Sequence, residues 1–300
     1  MELPQASYGY EMCLSEKFWC PEFSLEAVIA LQSHFEAHDT DIFVINMPKT
    51  GTTWFKSLLY TLLNRCDNHH LSNTPLQTYS PHELISSLEI MIYTKDKTPD
   101  LTKIPPPRLF STHLPYASLP ESVKNSKCKI IYVTRNPFDT FVSSWLYYSK
   151  LEKLDIHTSR DDYFDKFCQG RSLYGPFFDH VVGYWKESLE RPQKVLFLKY
   201  EDLKEDGALQ LKRVGEFVEH PFSKQEEEQG VVQGIINLCS IGSLKEMEVN
   251  KKGKCDPDFD NKSFFRKGVV GDWVNYLTPP MVERLTKIMD ENFNGSGLSF

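Results

Sequence analysis

The feature that most constrains the fold of this chain is a short apolar run that ends in a polar loop and continues as a helical pattern. Residues 41–47, Asp-Ile-Phe-Val-Ile-Asn-Met, are bounded by polar residues and by Pro48, which predicts a buried strand. After a tight loop at residues 48–53, apolar side chains recur on one helical face, at Trp54, Leu58, Leu59, Leu62 and Leu63. A strand, a tight loop and an amphipathic helix in this order are typical of an α/β protein.

Two more apolar runs of strand length follow the first. Residues 129–134 precede Pro137, which suits the first turn of a helix because its missing N–H costs nothing there. Residues 195–198 lie between helical stripes at 178–189 and 211–218. Strands that alternate with amphipathic helices predict an α/β fold with a central, mainly parallel sheet that helices cover on both faces.

The chain shows no interdomain linker, repeat or low-complexity tract, so we predict one domain over residues 1–300. Residues 1–16 read as a loosely ordered lead that precedes a helix near residues 25–35. Residues 250–265 form a polar stretch rich in lysine and aspartate, which predicts a mobile loop. We expect this loop to lie over the donor site that the motifs below define.

The composition excludes several classes of function. The 300 residues carry a formal net charge of −7, so the chain lacks the overall basic field that attracts nucleic acids or anionic membranes. Any anion must therefore be held by a local cluster of cations and backbone amides. No apolar run reaches the roughly 18–20 residues that span a bilayer, and no secretory signal is visible. We expect a cytoplasmic protein with no nucleic-acid and no membrane partner.

The seven cysteines are scattered along the chain and form no C-x-x-C pair. This spacing disfavours a disulfide framework and a zinc site, and it fits a reducing compartment. With 40% hydrophobic residues, the chain can bury a sizeable core without either. We therefore predict no metal site.

The loop at residues 48–54 reads Pro-Lys-Thr-Gly-Thr-Thr-Trp and joins the first predicted strand to its helix. At such a junction the free backbone N–H groups and the helix dipole favour an anion. Gly51 lets the backbone approach the ligand closely, three threonine hydroxyls add donors, and Lys49 adds a positive charge. The loop is not a Walker A motif, because Lys49 precedes Gly51 and no glycine lies between Asp41 and Gly51.

This loop resembles the phosphosulfate-binding loop of the cytosolic sulfotransferases, whose signature is P-K-[ST]-G-T-T-W. Further matches follow in the family's order over residues 17–293, and they begin at Thr112, Arg135, Phe197 and Phe265. The last of them reads Phe-Arg-Lys-Gly-Val-Val-Gly-Asp-Trp. Residues 174–177 and 183–186 look most like the plant branch of the family.

The resemblance implies a donor substrate, 3′-phosphoadenylyl sulfate (PAPS), with two anionic ends. Six residues of a P-loop-like segment would hold its 5′-phosphosulfate: Lys49, Thr50, Gly51, Thr52, Thr53 and Trp54. Arg135 and Ser143 would bind the 3′-phosphate, for which the planar fork of an arginine is well suited, and Tyr200 would contact the adenine side. The same 3′-phosphate would be held from the far end of the polar loop by Arg266, Lys267 and Gly268.

The resemblance also assigns the chemistry. His113 would be the general base, since an attacking hydroxyl loses a proton and imidazole titrates near neutral pH. Lys49 would neutralise charge on the bridging oxygen as its bond to sulfur breaks. The product nucleotide is 3′,5′-ADP (PAP). The protein's own cations would serve without a metal ion.

The acceptor is predicted to be a small hydroxylated molecule that is largely apolar, such as a phenol, flavonoid, steroid or hydroxy acid. The sequence does not choose among these. Seven side chains near the motifs are candidates for the acceptor pocket wall: Phe18, Trp19, Tyr79, Leu88, Trp145, Tyr147 and Tyr148.

The chain departs from the commoner animal members of the family at several positions. Ser111 stands where many have lysine, and Ile241 stands where phenylalanine often meets adenine, which predicts apolar packing there. The family's dimer motif expects lysine and valine where this chain has Val274 and Pro279. We therefore expect a monomer or a weak homodimer.

Three other functions compete with this interpretation. A P-loop kinase would need the Walker order and an aspartate at a strand end, where this chain has Arg135. A catalytically dead nucleotide-binding protein would not need both Lys49 and His113. An interaction scaffold would leave the anion-binding loop without a purpose.

Overall fold

The computed structural model describes residues 5–7, 11–15, 18–65, 74–151, 156–256 and 259–300. The strands in these ranges are β1 (Gln5–Ser7), β2 (Glu11–Ser15), β3 (Phe18–Pro21), β4 (Ile42–Ile45), β5 (Leu109–Thr112), β6 (Lys129–Thr134), β7 (Val195–Lys199), β8 (Lys254–Asp256) and β9 (Phe259–Asp260). The α-helices are α1 (Glu22–His34), α2 (Thr52–Leu63), α3 (Pro81–Leu84), α4 (Glu121–Asn125), α5 (Pro137–Leu151), α6 (Ile156–Cys168), α7 (Phe177–Glu190), α8 (Tyr200–Glu205), α9 (Gly207–Phe217), α10 (Lys224–Glu228), α11 (Val231–Leu238), α12 (Ile241–Glu246), α13 (Glu248–Lys252) and α14 (Pro279–Phe293).

The centre of the fold is a parallel sheet with the strand order β5-β4-β6-β7. In its register Ile42 lies opposite Leu109 on one side and Lys129 on the other, while Ile130 lies opposite Val195. Every residue of β4 is buried, as expected for a strand that is covered on both faces. The predicted α/β fold with a mainly parallel central sheet is thereby confirmed.

The two faces of the sheet bury separate cores because successive side chains of a strand point to opposite sides. Phe43 and Tyr132 belong to a core rich in aromatic side chains, together with Phe141 of α5 and Tyr184 of α7. The other face packs aliphatic side chains against helices α2, α9 and α11, through Val44, Val133, Leu58, Leu211 and Ile235.

The carboxyl ends of the four central strands lie at one edge of the sheet, because the strands are parallel. The segment that follows each strand contains residues of the sequence motifs. Lys49 follows β4, His113 follows β5, Arg135 follows β6 and Tyr200 follows β7. In open α/β sheets this edge is where ligands bind.

Of the lead at residues 1–16 that was predicted to be loosely ordered, the structure describes residues 5–7 and 11–15, which form strands, and the rest of the lead lies outside the described residues. Strand β2 pairs antiparallel with β1 and β3, and Cys13 lies opposite Cys20. Met12 is fully buried against the main core, which gives this strand a hydrophobic reason to be ordered. The backbone of Trp19 in β3 also exchanges hydrogen bonds with residues 174 and 175.

The polar stretch at residues 250–265 contains regular structure where a loop was predicted. It includes the end of α13, the antiparallel pair of β8 and β9, and a 3₁₀ helix at Asn261–Phe264. Phe265, which follows, is buried. Whether the segment moves over the donor site stays a prediction.

None of the helices within the described ranges combines the length and the apolar character that a bilayer-spanning helix requires.

Candidate active site

The carboxyl edge of the central sheet opens into a cavity of about 850 Å³. Most of the predicted site residues line it, and these are Lys49, Gly51, Thr52, Thr53, Trp54, His113, Arg135, Ser143, Tyr200, Arg266 and Gly268. The described wall residues include seven lysines and arginines and no aspartate or glutamate. The cavity is therefore suited to an anionic ligand although the whole chain is acidic.

Two predicted residues do not present their side chains to the cavity. The Thr50 hydroxyl is buried, 2.9 Å from the carbonyl oxygen of Met47 and 3.0 Å from that of Val133, so it fastens the loop to β6. The Lys267 ammonium is half exposed and pairs with Asp272 at 2.8 Å. Neither residue lines the cavity in this structure.

The loop between β4 and α2 is held in a conformation that few residues tolerate. Lys49 and Gly51 both have positive φ, at 71° and 112°. A Cβ atom added at Gly51 would lie 2.7 Å from Cδ2 of Tyr200, so a side chain does not fit there. The Asn46 amide braces the loop from below by donating to the Met47 carbonyl at 2.8 Å and to the Thr52 hydroxyl. Thr52, Thr53 and Trp54, the first residues of α2, line the cavity, and a helix N-terminus favours an anion.

Lys49 faces other cations across the cavity. Its ammonium lies 3.5 Å from the centroid of the Tyr147 ring. Burial, followed by the positive charges of Arg266 and Arg135, lowers the pKa of Lys49 to about 7. An anion bound among these three groups would favour the protonated lysine.

Arg135 is tied to the distant segment that carries Arg266. Its guanidinium lies 3.1 Å from the buried carboxylate of Asp139 and also donates to the carbonyl of Val269. The same carboxylate accepts hydrogen bonds from the backbone of Gly271 at 2.8 Å and of Trp273 at 3.1 Å. The buried Nε of Arg135 has no hydrogen-bond partner. The site thus brings together residues that lie more than 130 positions apart in the sequence. The Nε of Arg135 remains as a hydrogen-bond donor for a ligand.

The other predicted ligands pack around this link. Arg266 pairs with Asp272, whose pKa is raised by burial but brought to about 2 by hydrogen bonds from Lys267 and Arg266. The Tyr200 hydroxyl donates to the carbonyl of Gly268 at 2.9 Å, and its ring lies under the Arg135 guanidinium. Tyr200 therefore connects the two ends of the predicted donor site.

His113 is held by hydrogen bonds on three sides. Its Nδ1 lies 2.6 Å from the carbonyl oxygen of Asn46, so Nδ1 carries the hydrogen and a neutral ring has a bare Nε2. Its backbone N–H donates to Glu89 at 2.8 Å, and its carbonyl accepts from Nε2 of His180 at 2.9 Å.

The charge state of His113 follows from its surroundings. Burial lowers the pKa of His113 to about 4; the Asn46 hydrogen bond opposes this shift, and the charges of Lys56 and Lys49 reinforce it. The ring is therefore neutral at pH 7 and can accept a proton.

Sequence reasoning missed several residues that complete the site. Lys56 and His82 line the cavity, and Asn46, Glu89 and His180 hold His113 in place. One signal was present, because Lys56 is a lysine inside the apolar pattern of α2 and is only 1% exposed. The others depend on contacts between segments that are far apart in the chain.

Of the seven candidates for the acceptor wall, two line the cavity. Tyr147 and Tyr148 line the cavity, whereas Tyr79 is half exposed. Phe18, Leu88 and Trp145 are core residues, and Trp19 belongs to the same core. The apolar part of the wall includes Pro21, Phe23, Ile90, Met91, Leu146, Leu173, Tyr174 and Phe264. Ile241, predicted to pack against adenine, also lines the cavity.

In the part of the chain that the structure describes, no three His, Cys, Asp or Glu side chains gather as metal ligands would. The proposed independence from metal remains a prediction for assay.

Comparison with known proteins identifies the family. A protein-family model described as a sulfotransferase domain matches residues 39–297. Cytosolic sulfotransferase 15 of Arabidopsis thaliana is 45% identical over 294 residues, which cover 96% of this chain and 81% of the relative. Cytosolic sulfotransferase 5 of the same plant is also 45% identical, over 97% of this chain and 91% of its own length.

Solved structures of other proteins support the same family. An Arabidopsis thaliana candidate steroid sulphotransferase has a TM-score of 0.78 and 36% identity, with 100% of this chain and 93% of that chain covered. Mouse sulfotransferase SULT7A1, solved in complex with PAP, has a TM-score of 0.74 and 28% identity, with 95% of each chain covered. This chain therefore belongs to the sulfotransferase family, and the two Arabidopsis relatives named above are cytosolic sulfotransferases. As its motifs predicted, it is a PAPS-dependent sulfotransferase.

Proposed function

We propose that this enzyme transfers a sulfuryl group from PAPS to a hydroxyl of a small, largely apolar acceptor, with His113 as the general base. One observation carries the proposal. The hydrogen bond from Nδ1 of His113 to Asn46 leaves Nε2 as a proton acceptor in the same cavity as Lys49. General-base catalysis needs a neutral imidazole of this kind at working pH.

The fit of the donor is supported by the charges and the free donors of the wall. Lys49, Gly51, Thr52, Thr53 and Trp54 would hold the 5′-phosphosulfate, with Thr50 contributing its backbone alone. The 3′-phosphate would be bound through the unpartnered Nε of Arg135 and through Ser143, Arg266 and Gly268, with Lys267 contributing its backbone alone. Tyr200 and Ile241 would pack on the adenine side. The mouse relative was solved in complex with PAP, which supports binding of such a nucleotide by this fold.

The chain's own residues would perform the proton and charge steps. PAPS supplies an activated sulfuryl group when it is bound. His113 takes the proton of the acceptor hydroxyl as the new oxygen–sulfur bond forms. Lys49 neutralises the charge that collects on the phosphate oxygen as the old sulfur–oxygen bond breaks, and PAP is left with its electron pair on that oxygen. In these steps the proton is taken up, the sulfuryl group is transferred and the developing charge is neutralised without a metal ion.

The acceptor class is supported by the apolar part of the cavity wall. Leu173, Tyr174, Ile90 and Met91 are apolar or aromatic, which suits a phenol, flavonoid, steroid or hydroxy acid. We also propose a cytoplasmic enzyme of one domain, without nucleic-acid or membrane partners. Because the dimer motif is altered at Val274 and Pro279, we propose a monomer or a weak homodimer.

The kinase alternative predicts a different dependence on metal. β6 ends next to Arg135, a cation at the place where a kinase holds a metal ligand. Turnover with PAPS should survive an excess of EDTA. Turnover that requires Mg·ATP would support the kinase.

The test of the proposal combines a substitution with an acceptor screen. His113→Ala should lower turnover of labelled PAPS on any active hydroxylated acceptor by roughly 10²- to 10⁴-fold, because the proton acceptor is lost. Calorimetry should find PAP binding within a few-fold of wild type. The matched control is His220→Ala, which removes an exposed histidine. Wild-type turnover by His113→Ala would show that His113 is not the base.

A further inference from the structure

Three side chains outside the predicted catalytic pair form a hydrogen-bonded row along one wall of the cavity. Nζ of Lys56 lies 3.3 Å from Nδ1 of His82, and Nε2 of His82 lies 2.9 Å from the hydroxyl oxygen of Thr53. All three residues line the cavity. Lys56 and Thr53 come from α2 and His82 from α3, so the row joins the two helices.

The chemistry of the three groups fixes which atom donates and which atom accepts in each hydrogen bond of this row. A lysine ammonium has N–H donors and no acceptor, so Nδ1 of His82 must accept its hydrogen bond. The single hydrogen of the neutral ring then lies on Nε2, which donates to Thr53. The Thr53 oxygen is engaged as an acceptor, and its own hydrogen is left to donate to a third group in the cavity.

The surroundings of His82 favour the neutral ring. Burial lowers the pKa of His82 well below its ordinary value, and the positive charge of Lys56 acts in the same direction. The ring packs against Phe264, with 4.3 Å between the centroids. Both ring nitrogens are engaged, whereas Nε2 of His113 remains open to the cavity. His82 is thus poorly placed to act as a second base.

We propose that Lys56, His82 and Thr53 form a positioning relay that fixes the Thr53 hydroxyl as a hydrogen-bond donor toward the sulfate and phosphate oxygens of the bound donor. A free threonine hydroxyl can turn its hydrogen elsewhere, but one that already accepts from His82 keeps it for the ligand. The relay also lets the buried charge of Lys56 act on the anion through polarised hydrogen bonds. The relay needs the anion-binding loop and does not depend on which residue is the base.

The first test is a calorimetric titration with PAPS in the absence of acceptor. Thr53→Val removes the hydroxyl and keeps the shape of the side chain. Lys56→Met removes the hydrogen bond to His82, and His82→Leu removes the hydrogen bonds to both Lys56 and Thr53. Each should weaken PAPS binding about tenfold, as expected for the loss of one hydrogen bond to a charged group. Lys287→Met, which alters an exposed lysine of α14, is the matched control and should bind PAPS as wild type does.

The second step of the test asks whether the three residues act as a unit. A relay predicts that Thr53→Val combined with His82→Leu binds PAPS no more weakly than either single variant, within about a factor of two. Residues that only support the fold would give losses that add, together with a lower melting temperature. Additive losses, or wild-type PAPS affinity in Thr53→Val, would overturn the proposal.

A spectroscopic readout tests the direction without any ligand. In a sample with ¹⁵N-labelled histidine, the His82 ring should be neutral with its hydrogen on Nε2, and Lys56→Met should abolish that preference. A hydrogen on Nδ1 in the wild-type protein would contradict the relay. If His82→Leu fails to fold, His82→Gln replaces it, because its amide can accept from Lys56 and donate to Thr53. His82→Gln should bind PAPS more tightly than Lys56→Met.

These outcomes are separable from the test of His113. If His113→Ala keeps wild-type turnover, the proposed base is wrong and the PAPS titrations still report on the relay. If the relay variants bind PAPS normally, the relay is wrong and the base remains as proposed.

Discussion

At the scale of single residues, Lys49 is the site residue whose charge state depends most directly on ligand binding. Its pKa is lowered to about 7 by burial and then by Arg266 and Arg135. Above pH 7 the lysine of the free enzyme is therefore largely neutral. A polyanionic nucleotide favours the ammonium form, so binding must draw a proton from solution.

This gives a measurable prediction for PAP binding. At about pH 8.5, binding should take up on the order of one proton, and affinity should fall as pH rises further. Calorimetry in two buffers with different ionisation enthalpies measures this uptake directly. Lys49→Met should remove most of it, while Lys287→Met should leave it unchanged. Equal heats in both buffers for the wild-type enzyme would refute the assigned pKa.

The residues that sequence reasoning found and missed differ in where they lie. Lys49 and Arg135 come after predicted apolar runs, so these runs placed them at one edge of the sheet, whereas His113 was identified by the resemblance to the family's motif. His82 meets Thr53 only because α3 packs against α2, 29 positions away. A pattern in one sequence does not report such a contact.

At the scale of elements, the loop between β4 and α2 depends on one glycine. Gly51 has a φ of 112°, and a Cβ there would lie 2.7 Å from the Tyr200 ring. Tyr200 cannot retreat easily, since it packs on Trp54 and donates to Gly268. Any side chain at Gly51 must strain the backbone and displace the ring.

We therefore expect Gly51→Ala to weaken PAP binding by at least tenfold and to lower the free energy of unfolding by about 1–3 kcal/mol, from strain of the left-handed backbone. Gly242→Ala in α12 is the control, because no atom outside its chain neighbours and the backbone of its own helix lies within 4 Å of the added Cβ. That control should be neutral or slightly stabilising, as alanine favours a helix. Calorimetry and denaturant unfolding measure both effects. Wild-type PAP binding by Gly51→Ala would contradict the proposed role of the loop.

Elements at the edge of the fold were predicted less well than those at its centre. The runs that became β4, β6 and β7 are mainly apolar because both faces of the sheet pack against core residues. β2 carries no such run, and its order comes from pairing with β3 and from the burial of Met12. Phe18 and Trp145 were expected in the acceptor wall but lie in the core, because an aromatic residue near a motif serves packing as readily as binding.

At the scale of the whole molecule, the charges are divided between surface and cavity. The chain has a formal net charge of −7, while the described wall of the cavity holds lysines and arginines without a carboxylate. Field lines concentrate in such a cleft and attract anions to it. The sequence predicted this division, since a globally acidic chain with an anion-binding loop must hold its ligand locally.

The burial of basic side chains also determines how the folding stability changes as the pH falls. The pKa values of His113 and His180 are both lowered to about 4, first of all by burial, and that of His82 is lowered well below its ordinary value. Between pH 6.5 and about 4 the unfolded chain thus binds protons at these positions that the folded chain does not. Stability must rise with pH in this window, and it is lost as the pH falls. Glu89 opposes the trend because burial raises its pKa.

We expect the free energy of unfolding to fall by on the order of 2–3 kcal/mol between pH 6.5 and pH 4.5, after allowance for the partial exposure of His113 and the opposing Glu89. Urea denaturation at a series of pH values measures this slope. His180 is only 1% exposed and bridges Tyr132 and His113, so His180→Gln should flatten the slope while costing stability at pH 7. His220→Gln, at an exposed position, should leave the slope as in wild type. A stability that is constant from pH 6.5 to pH 4.5 would mean that these buried rings accept protons as readily as free histidine.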